Sequence, residues 1–204
     1  LLSSILNDLV ALQPSLRTYA CVANTSLIER KLLDSELDVA LVEGIITSPD
    51  LRAIPVAEDF LVLAMAMDHP LASKREVHIQ ELEQYDLVIR EKGSGTRKLF
   101  EDYLNRHQIS CRIAWEATCL DAIKSAILFN GCVSPISVRL VEQEVKNGKI
   151  HVIRNLRSDW DRRFYLVYHK DKYFSEPMHL LTDIMHKYQR PEFLDFLSTG
   201  TILD

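Results

Sequence analysis

LVIREKGSGTRKLFEDYL (residues 87–104) runs from a short apolar segment through a loop with two glycines into an amphipathic segment. The apolar segment Leu87–Ile89 is typical of a buried strand. The segment from Thr96 to His107 has the spacing of a helix with one apolar face. That face consists of Leu99, Phe100, Tyr103 and Leu104. The stretch therefore predicts a strand, a glycine-rich loop and a helix in direct succession.

The loop GSGT (residues 93–96) has the features of an anion-binding helix start. The first turn of a helix has unpaired N–H groups and a partial positive charge, and glycines let a ligand approach the main chain. Ser94 and Thr96 add hydroxyl donors. The spacing excludes a P-loop, and Lys98 stands where a dinucleotide fingerprint needs glycine. The alternative is a tight turn with an ordinary N-cap.

Strands and helices alternate along most of the chain, which predicts parallel sheets with helices on both faces. Capping boxes are expected at Ser26–Glu29 and at Thr118–Asp121. The predicted strands are Arg17–Ala23, Val39–Val42, Phe60–Met67, Leu87–Ile89, Cys111–Ala117, Val133–Ile136 and Phe164–His169. If the chain forms two lobes, Phe60–Met67 and Phe164–His169 are the strands long enough to connect them.

The overall composition is that of an ordinary globular protein. The 204 residues carry a net charge of −5, which argues against direct nucleic-acid binding by this chain, since that function favours a basic face. No apolar run approaches the roughly 20 residues that span a bilayer, and no signal peptide is evident, so we expect a cytoplasmic protein without membrane contact. Four scattered cysteines fit reduced thiols better than a disulfide framework.

Several blocks of sequence resemble the effector-binding domain of LysR-type transcriptional regulators. They are ELDVALVEG (36–44), EDFLVLAMAMDHPLA (58–72), LVIREKGSGTR (87–97), VKNGKI (145–150) and RRFYLVYHKD (162–171). The resemblance implies an α/β fold of the type II periplasmic-binding-protein-like class, with two Rossmann-like lobes joined by two crossover strands. Mapped onto this chain, lobe I comprises residues 1–65 and 168–204, and lobe II comprises residues 66–167. A small effector is expected between the lobes.

The family pattern also contains parts that this sequence lacks. An N-terminal winged helix-turn-helix domain, through which such regulators contact DNA, is absent from these residues, and the first strand of lobe I is also expected upstream. The resemblance implies a homodimer or tetramer. The apolar face of the first helix, at Leu2, Ile5 and Leu9, could contact a partner subunit or pack on its own sheet.

The resemblance and the loop together predict the effector site. Its residues are Glu43, Gly44, Ser94, Gly95, Thr96, Gly131, Val133 and Ser134. The last three lie in NGCVSPIS (130–137), where Asn130 and Cys132 replace the glycines that are usual in the family. The predicted ligand is a small anion. No cofactor is expected, and the seven histidines show no metal-ligand spacing.

Three other functions are alternatives to a ligand-sensing regulatory domain. A transport-type solute-binding protein of the same fold is the main alternative, although no signal peptide supports it. An enzyme is not expected, because no catalytic constellation is visible. Redox sensing at Cys111 or Cys119 is disfavoured, because no cluster of cations surrounds either residue in the sequence to lower the pKa of its thiol.

Overall fold

A computed structural model describes residues 2–43, 46–157, 159–188 and 199–203. The chain divides into two compact units, the first comprising Leu1–Glu58 and Arg163–Pro191, and the second comprising Asp59–Arg162 and Glu192–Asp204. Two of the crossings between units lie within long strands, since residues 51–66 and 161–169 are each one continuous strand. These strands include the two segments that the sequence predicts as connections.

The described residues contain both helices and strands, mostly in alternation. The helices are α1 (Leu2–Leu12), α2 (Thr25–Leu33), α3 (Gly95–Arg106), α4 (Leu120–Asn130), α5 (Glu142–Lys146) and α6 (Glu176–Met185). The strands are β1 (Ala40–Val42), β2 (Leu51–Ala66), β3 (Glu76–His78), β4 (Asp86–Arg90), β5 (Arg112–Ala117), β6 (Ser134–Ser137), β7 (Ile150–Arg154), β8 (Asp161–His169) and β9 (Gly200–Leu203).

In the first unit, β1 and β8 pair antiparallel, with Ala40 opposite Val167. Helix α1 packs along α6, and its residues Ile5 and Leu9 are buried in a cluster with Val56, Leu166, Ile184 and Met185. Thus the predicted apolar positions Ile5 and Leu9 of α1 pack within their own unit. Val10 and Leu12, near the end of the same helix, are exposed.

In the second unit, β4 pairs parallel with β5, and a parallel bridge joins Leu87 to Val133 just before β6. Strand β2 pairs antiparallel with β6 and β7, while β9 pairs parallel with β7 and β3. Alternate residues of β2 enter different clusters: Leu61 and Leu63 pack with Phe100 of α3, whereas Val62 packs with α4. Because successive strand side chains point to opposite faces, helices cover both faces of this sheet, as the alternation predicts.

The sequence predicts only parallel pairing, and the antiparallel ladders of β2 and β1 therefore differ from expectation. The predicted strand at Arg17–Ala23 is irregular, with Tyr19 and Val22 exposed, because no strand among the described residues pairs with it. The capping-box expectations are also wrong. Helix α2 is capped by Asn24, whose side chain accepts a hydrogen bond from the Leu27 amide at 3.0 Å, and the N-cap of α4 is Cys119.

The unit boundaries lie several residues before the predicted lobe boundaries. The second unit starts at Asp59 because residues 61–66 of β2 already pair with β6 and β7. It also includes β9, although the sequence predicts residues 168–204 in lobe I, since β9 pairs with β7 and β3. No helix in the described part of the chain is long and apolar enough to cross a membrane.

Candidate functional site

The start of α3 has the backbone geometry that the sequence predicts for the loop GSGT. Gly93 has φ +90°, a left-handed conformation that favours glycine, and Ser94 follows as an extended N-cap. The first intrahelical hydrogen bond is donated by the Lys98 amide to the Ser94 carbonyl, at 3.1 Å. The amides of Gly95, Thr96 and Arg97 therefore have no carbonyl partner inside the helix.

Two hydroxyl side chains lie buried at this helix start. Ser94 is 3% exposed and Thr96 is 4% exposed. The Oγ of Ser94 is inaccessible to solvent and makes no hydrogen bond to any group that the structure describes, and it does not cap its own helix. A buried hydroxyl without a partner is costly, so Ser94 offers an unused hydrogen-bonding group at the positive end of α3.

The Arg97 side chain is fixed by hydrogen bonds to other groups of the protein. Its guanidinium donates to Glu101 at 2.7 Å, to the Arg90 carbonyl at 3.2 Å and to Glu116. Burial lowers the pKa of Arg97, but the hydrogen bonds that it donates to Glu116 and Glu101 outweigh burial and leave that pKa above its ordinary value. Arg97 therefore joins α3 to β5 and is already neutralised by two carboxylates.

Thr96 belongs to a buried polar network that links four distant parts of the chain. Arg162 donates from Nη1 to the Thr96 Oγ1 at 2.8 Å and from Nε to the Asp59 Oδ2 at 2.7 Å. The Ser137 hydroxyl donates to the other Asp59 oxygen at 2.8 Å. The Asp59 side chain has no exposed surface and that of Arg162 is 7% exposed. We call Asp59, Thr96, Ser137 and Arg162 the buried polar network.

Arg139 borders this network on the side of Ser137. Its Nε lies 3.9 Å from the Asp59 Oδ1, and its amide donates to the Ser137 Oγ at 3.3 Å. Burial lowers the pKa of Arg139, and the nearby carboxylates of Asp59 and Glu142 only partly offset that effect. Asp59 thus has Arg162 bound to one oxygen and Arg139 near the other, and Arg162 also contacts Thr96 at the start of α3.

The arrangement presents hydrogen-bond donors. The first-turn amides donate, the Thr96 oxygen already accepts from Arg162, and both oxygens of Asp59 are occupied. Such a group of donors at a helix start suits a ligand with negatively charged oxygens. Sequence analysis identified Ser94, Gly95 and Thr96, and the structure brings these three together in the second unit.

Three other predicted residues have structural roles in the same unit. Gly131 ends α4 in a left-handed conformation, with φ +64°. Val133 is fully buried, and its main chain bonds to β4 in both directions, accepting from Val88 at 3.0 Å and donating to Asp86 at 2.9 Å. Ser134 is fully buried in β6 beside Ala64. In this segment it is Ser137, three residues later, that joins the buried polar network.

The remaining predicted residues belong to the first unit. Glu43 directly follows β1 and is half-buried. Gly44 lies outside the described residues. Another carboxylate of that unit, Glu29, holds the loop after β1 by accepting hydrogen bonds from the amides of Thr47 and Ser48, at 3.0 and 2.8 Å.

The sequence pattern does not point to Asp59, Ser137 or Arg162, the members of the buried polar network other than Thr96. One signal in the sequence is the position of Asp59, which directly precedes the apolar run of β2. In the folded protein its side chain has no exposed surface. Its partner Arg162 is 103 residues away in the sequence, and no local pattern connects the two.

The described residues show no grouping for a metal ion, and Cys111 is not a reactive cysteine. Over residues 2–43, 46–157, 159–188 and 199–203, no three His, Cys, Asp or Glu side chains are grouped so that they could hold a metal ion. Burial, with a smaller contribution from Glu83, raises the pKa of the Cys111 thiol to about 11, so this cysteine is a poor nucleophile.

Comparison with known proteins identifies the family. The family described as LysR substrate binding domain matches residues 1–190. The chain belongs to this family. Its fold is therefore the type II periplasmic-binding-protein-like fold, as the sequence resemblance predicts.

Several transcriptional regulators are similar in sequence to this LysR substrate-binding domain. The HTH-type transcriptional regulator CysL of Bacillus subtilis is 26% identical over 153 residues, which are 75% of this chain and 51% of that protein. The HTH-type transcriptional regulator CbbR of Rhizobium meliloti is 29% identical over 161 residues, 78% of this chain and 51% of that protein. The chain thus spans about half the length of these curated relatives.

Solved structures of regulatory domains are similar to this LysR substrate-binding domain over most of its length. The CcmR regulatory domain of Synechocystis PCC6803, in complex with 2-PG, is 25% identical with a TM-score of 0.82, covering 93% of this chain and 91% of that one. The effector-binding domain of QuiR, in complex with shikimate, is 19% identical with a TM-score of 0.76, covering 92% of this chain and 89% of that one. The QuiR likeness supports the fold alone.

Proposed function

We propose that this chain is the effector-binding part of a transcriptional regulator, and that its effector is a small anion held at the start of α3. The observation that carries the proposal is the buried Ser94 Oγ, which lacks a partner and lies beside first-turn amides that also lack intrahelical partners. The 2-PG bound to the similar CcmR regulatory domain supports a small-molecule effector.

The similar proteins support a regulator over the transport-type solute-binding protein, because the relatives with matching sequence are named as transcriptional regulators. DNA contact is proposed for an additional domain of the whole protein, as the names of the HTH-type relatives suggest. A homodimer or tetramer and a cytoplasmic location remain proposals from the family resemblance. Binding is proposed rather than catalysis, because the relatives with matching sequence are named as transcriptional regulators.

Ligand binding is tested by thermal unfolding of the domain with sulfate, phosphate, 2-PG and shikimate. We expect at least one anion to raise the melting temperature, and the Thr96→Val and Ser94→Ala variants to reduce that rise because each loses one donor. Ser110→Ala is the matched control, since Ser110 is an exposed serine of the same unit. An equal rise in the wild type and the Ser94→Ala/Thr96→Val double variant would move the site away from α3.

The regulatory role is tested by footprinting the full-length protein on the DNA upstream of its own gene. We expect the protected region or its affinity to change when the anion identified by thermal unfolding is added. A footprint that does not respond to that anion would contradict the regulatory proposal while leaving ligand binding intact.

A further inference from the structure

We propose that Asp59 is a specificity-determining residue, and that its carboxylate limits the affinity of the helix start for multiply charged anions. This inference rests on the proposed function, because it concerns the ligand of the same site. The site is thereby suited to an oxyanion group that carries one negative charge, such as a carboxylate, and gains little from a second charge on the ligand.

Arg162 is the cation of the buried polar network that contacts the helix start. Its Nη1 donates to the Thr96 Oγ1 at 2.8 Å, and its side chain is 7% exposed. Two hydrogen bonds in series span about 5–6 Å, so a ligand oxygen bonded to the Thr96 hydroxyl lies within that distance of the Arg162 guanidinium. In a partly buried site, one unbalanced charge at such a distance changes the affinity for a monoanion by about a hundredfold.

The Asp59 carboxylate opposes this attraction. Its Oδ2 accepts a hydrogen bond from the Arg162 Nε at 2.7 Å, and its side chain has no exposed surface, so water screens its charge little. A carboxylate bonded to a guanidinium cancels most of the field that the guanidinium produces. The pair therefore presents a dipole to the helix start, where Arg162 by itself would present a full positive charge.

The neighbouring cations on α3 do not restore that charge. Arg97 is paired with both Glu101 and Glu116. Lys98 pairs with Asp102 at 3.1 Å on the exposed surface, where solvent screens both groups. The first-turn N–H groups remain, and they are equivalent to about half a positive charge. Because a second charge greatly increases the cost of removing an anion from water, this attraction suits a singly charged group better than a dianion.

Ser94 provides an observation for a ligand that is independent of the helix. Its Oγ is buried, at a residue that is 3% exposed, and makes no hydrogen bond to any group that the structure describes. Buried hydroxyls normally have a partner, and a serine hydroxyl can either donate to a ligand or accept from it. The charge balance that Asp59 sets is the same in either case.

The test compares nitrate, an oxyanion with one charge, with sulfate, which has two. Neither anion binds a proton near neutral pH, so protonation of the ligand plays no part. Affinities are measured on the protein by titration of the amide NMR signals of Gly95 and Thr96. In the wild type we expect sulfate to bind less than about tenfold more tightly than nitrate, and a larger preference would overturn the inference.

Three variants change the charges of the pair. Asp59→Asn removes the opposing charge, and we expect the affinity to rise about tenfold for nitrate and about a hundredfold for sulfate, since the electrostatic gain doubles with the charge of the ligand. Arg162→Gln leaves the carboxylate and should weaken binding of both anions, and of sulfate more. The double variant Asp59→Asn/Arg162→Gln removes both charges and should return the ratio of sulfate to nitrate affinity close to that of the wild type.

The direction of these changes separates charge from damage to the fold. If Asp59 served only to hold the fold, both single variants would weaken both anions by similar factors, and that result would overturn the inference. Each single variant leaves one member of a buried ion pair without the other and is therefore destabilised. Where one of them does not fold, comparing the other with the double variant still isolates one charge, and the wild-type ratio is a test that needs no variant.

Asp102→Asn is the matched control, because Asp102 lies on α3, pairs with Lys98 and has a side chain that is 52% exposed. The same change at this screened position should alter neither affinity by more than about twofold. If both anions bind at Gly95 and Thr96 but Asp59→Asn does not raise the affinity for sulfate, the inference fails and the proposed site stands. If neither anion perturbs these two amides, the proposed site and the inference both fail.

Discussion

Asp59 illustrates how a single residue can be decisive without a recognisable motif. Its carboxylate has no exposed surface and accepts hydrogen bonds from Arg162 and Ser137. A buried ion pair stabilises a protein little compared with apolar residues, but loss of one partner is severe. The donors at Ser94 and Thr96 were predictable, because helix starts follow local rules. The residues that orient Thr96 were not, because their contacts join segments far apart in the chain.

His69 provides a residue-scale prediction about pH. Its Nδ1 accepts a hydrogen bond from the Leu71 amide at 3.2 Å, and its ring lies 4.7 Å from that of Tyr85. Burial lowers the pKa of His69, and Asp68 only partly offsets this effect. The unfolded chain therefore takes up a proton first as pH falls. Neutral His69 contributes its full stability above about pH 6.5, the pKa of histidine in the unfolded chain. That contribution is lost as the pH falls from there through the lower pKa of His69 in the folded protein.

We expect His69→Asn to reduce the acid dependence of the unfolding free energy, since asparagine can accept the same hydrogen bond and does not titrate. Urea unfolding at about pH 7.5 and about pH 5.5 measures this dependence. His151 contributes in the same direction because burial lowers its pKa too, so part of the dependence should remain. The exposed His186, changed to Asn, is the control. An acid dependence equal to that of the wild type would contradict the role given to His69.

At the scale of elements, the hydrophobic pattern predicted where helices and strands lie better than it predicted which residues cap the helices. Helix α3, strand β4 and strand β5 fall within a residue or two of their predicted ranges, because each has a clear apolar period. The caps failed where two polar residues competed for one helix start, as with Asn24 and Ser26 at α2. The segment Arg17–Ala23 has a strand-like composition but forms no ladder with any strand that the structure describes, and a strand needs a neighbour as well as a pattern.

Gly131 gives the prediction at this scale. It ends α4 with φ +64°, and a methyl group built on its Cα would meet nothing within 4 Å. The only penalty of Gly131→Ala is therefore backbone strain, and we expect a loss of about 1 kcal/mol in unfolding free energy. Gly131→Asn should lose less, because asparagine tolerates the left-handed region better.

Urea unfolding of both Gly131 variants measures these losses. Anion binding, followed by the same thermal assay as for Ser94 and Thr96, should be unaffected in both. A variant at Gly131 that folds normally and loses anion binding would return this residue to the site, as the sequence analysis first placed it.

At the scale of the whole molecule, the sequence and the family resemblance predicted the class of fold and the two crossing strands. They did not predict where the units divide. The first residues of β2 belong to one unit and the last to the other, and the C-terminal strand β9 returns to the second unit. The apolar pattern of a continuous strand does not change at the residue where its neighbouring strands change. Its sequence therefore has no signal for the boundary between the two units.

Gly200 allows the return of β9 to be tested. A Cβ at this position would lie 3.0 Å from the Ile153 Cγ1 and 3.1 Å from the Lys74 carbonyl oxygen. The Ile153 side chain can adjust, but the main chain at Lys74 cannot do so readily. We expect Gly200→Ala to lower the unfolding free energy by about 1–2 kcal/mol through overpacking.

Thr201→Ala, at the next and partly exposed position of β9, is the control and should have a smaller effect. Amide hydrogen exchange at β3 and β7 shows whether these strands are destabilised, and we expect faster exchange there in the Gly200 variant. Unchanged stability and exchange would mean that β9 does not pack against these strands as described.

The two tryptophans of the chain occupy opposite environments. Trp160 is 1% exposed and makes edge-on ring contacts with Phe100 and Tyr103 of α3, whereas Trp115 on β5 is 46% exposed. Their emission spectra should therefore separate, with a shorter-wavelength band from the indole in the apolar interior and a quenchable band from the hydrated one. Replacing Trp115 with phenylalanine would leave Trp160 as the single tryptophan, packed against α3, so that selective excitation of its indole could report events at that helix without any added dye.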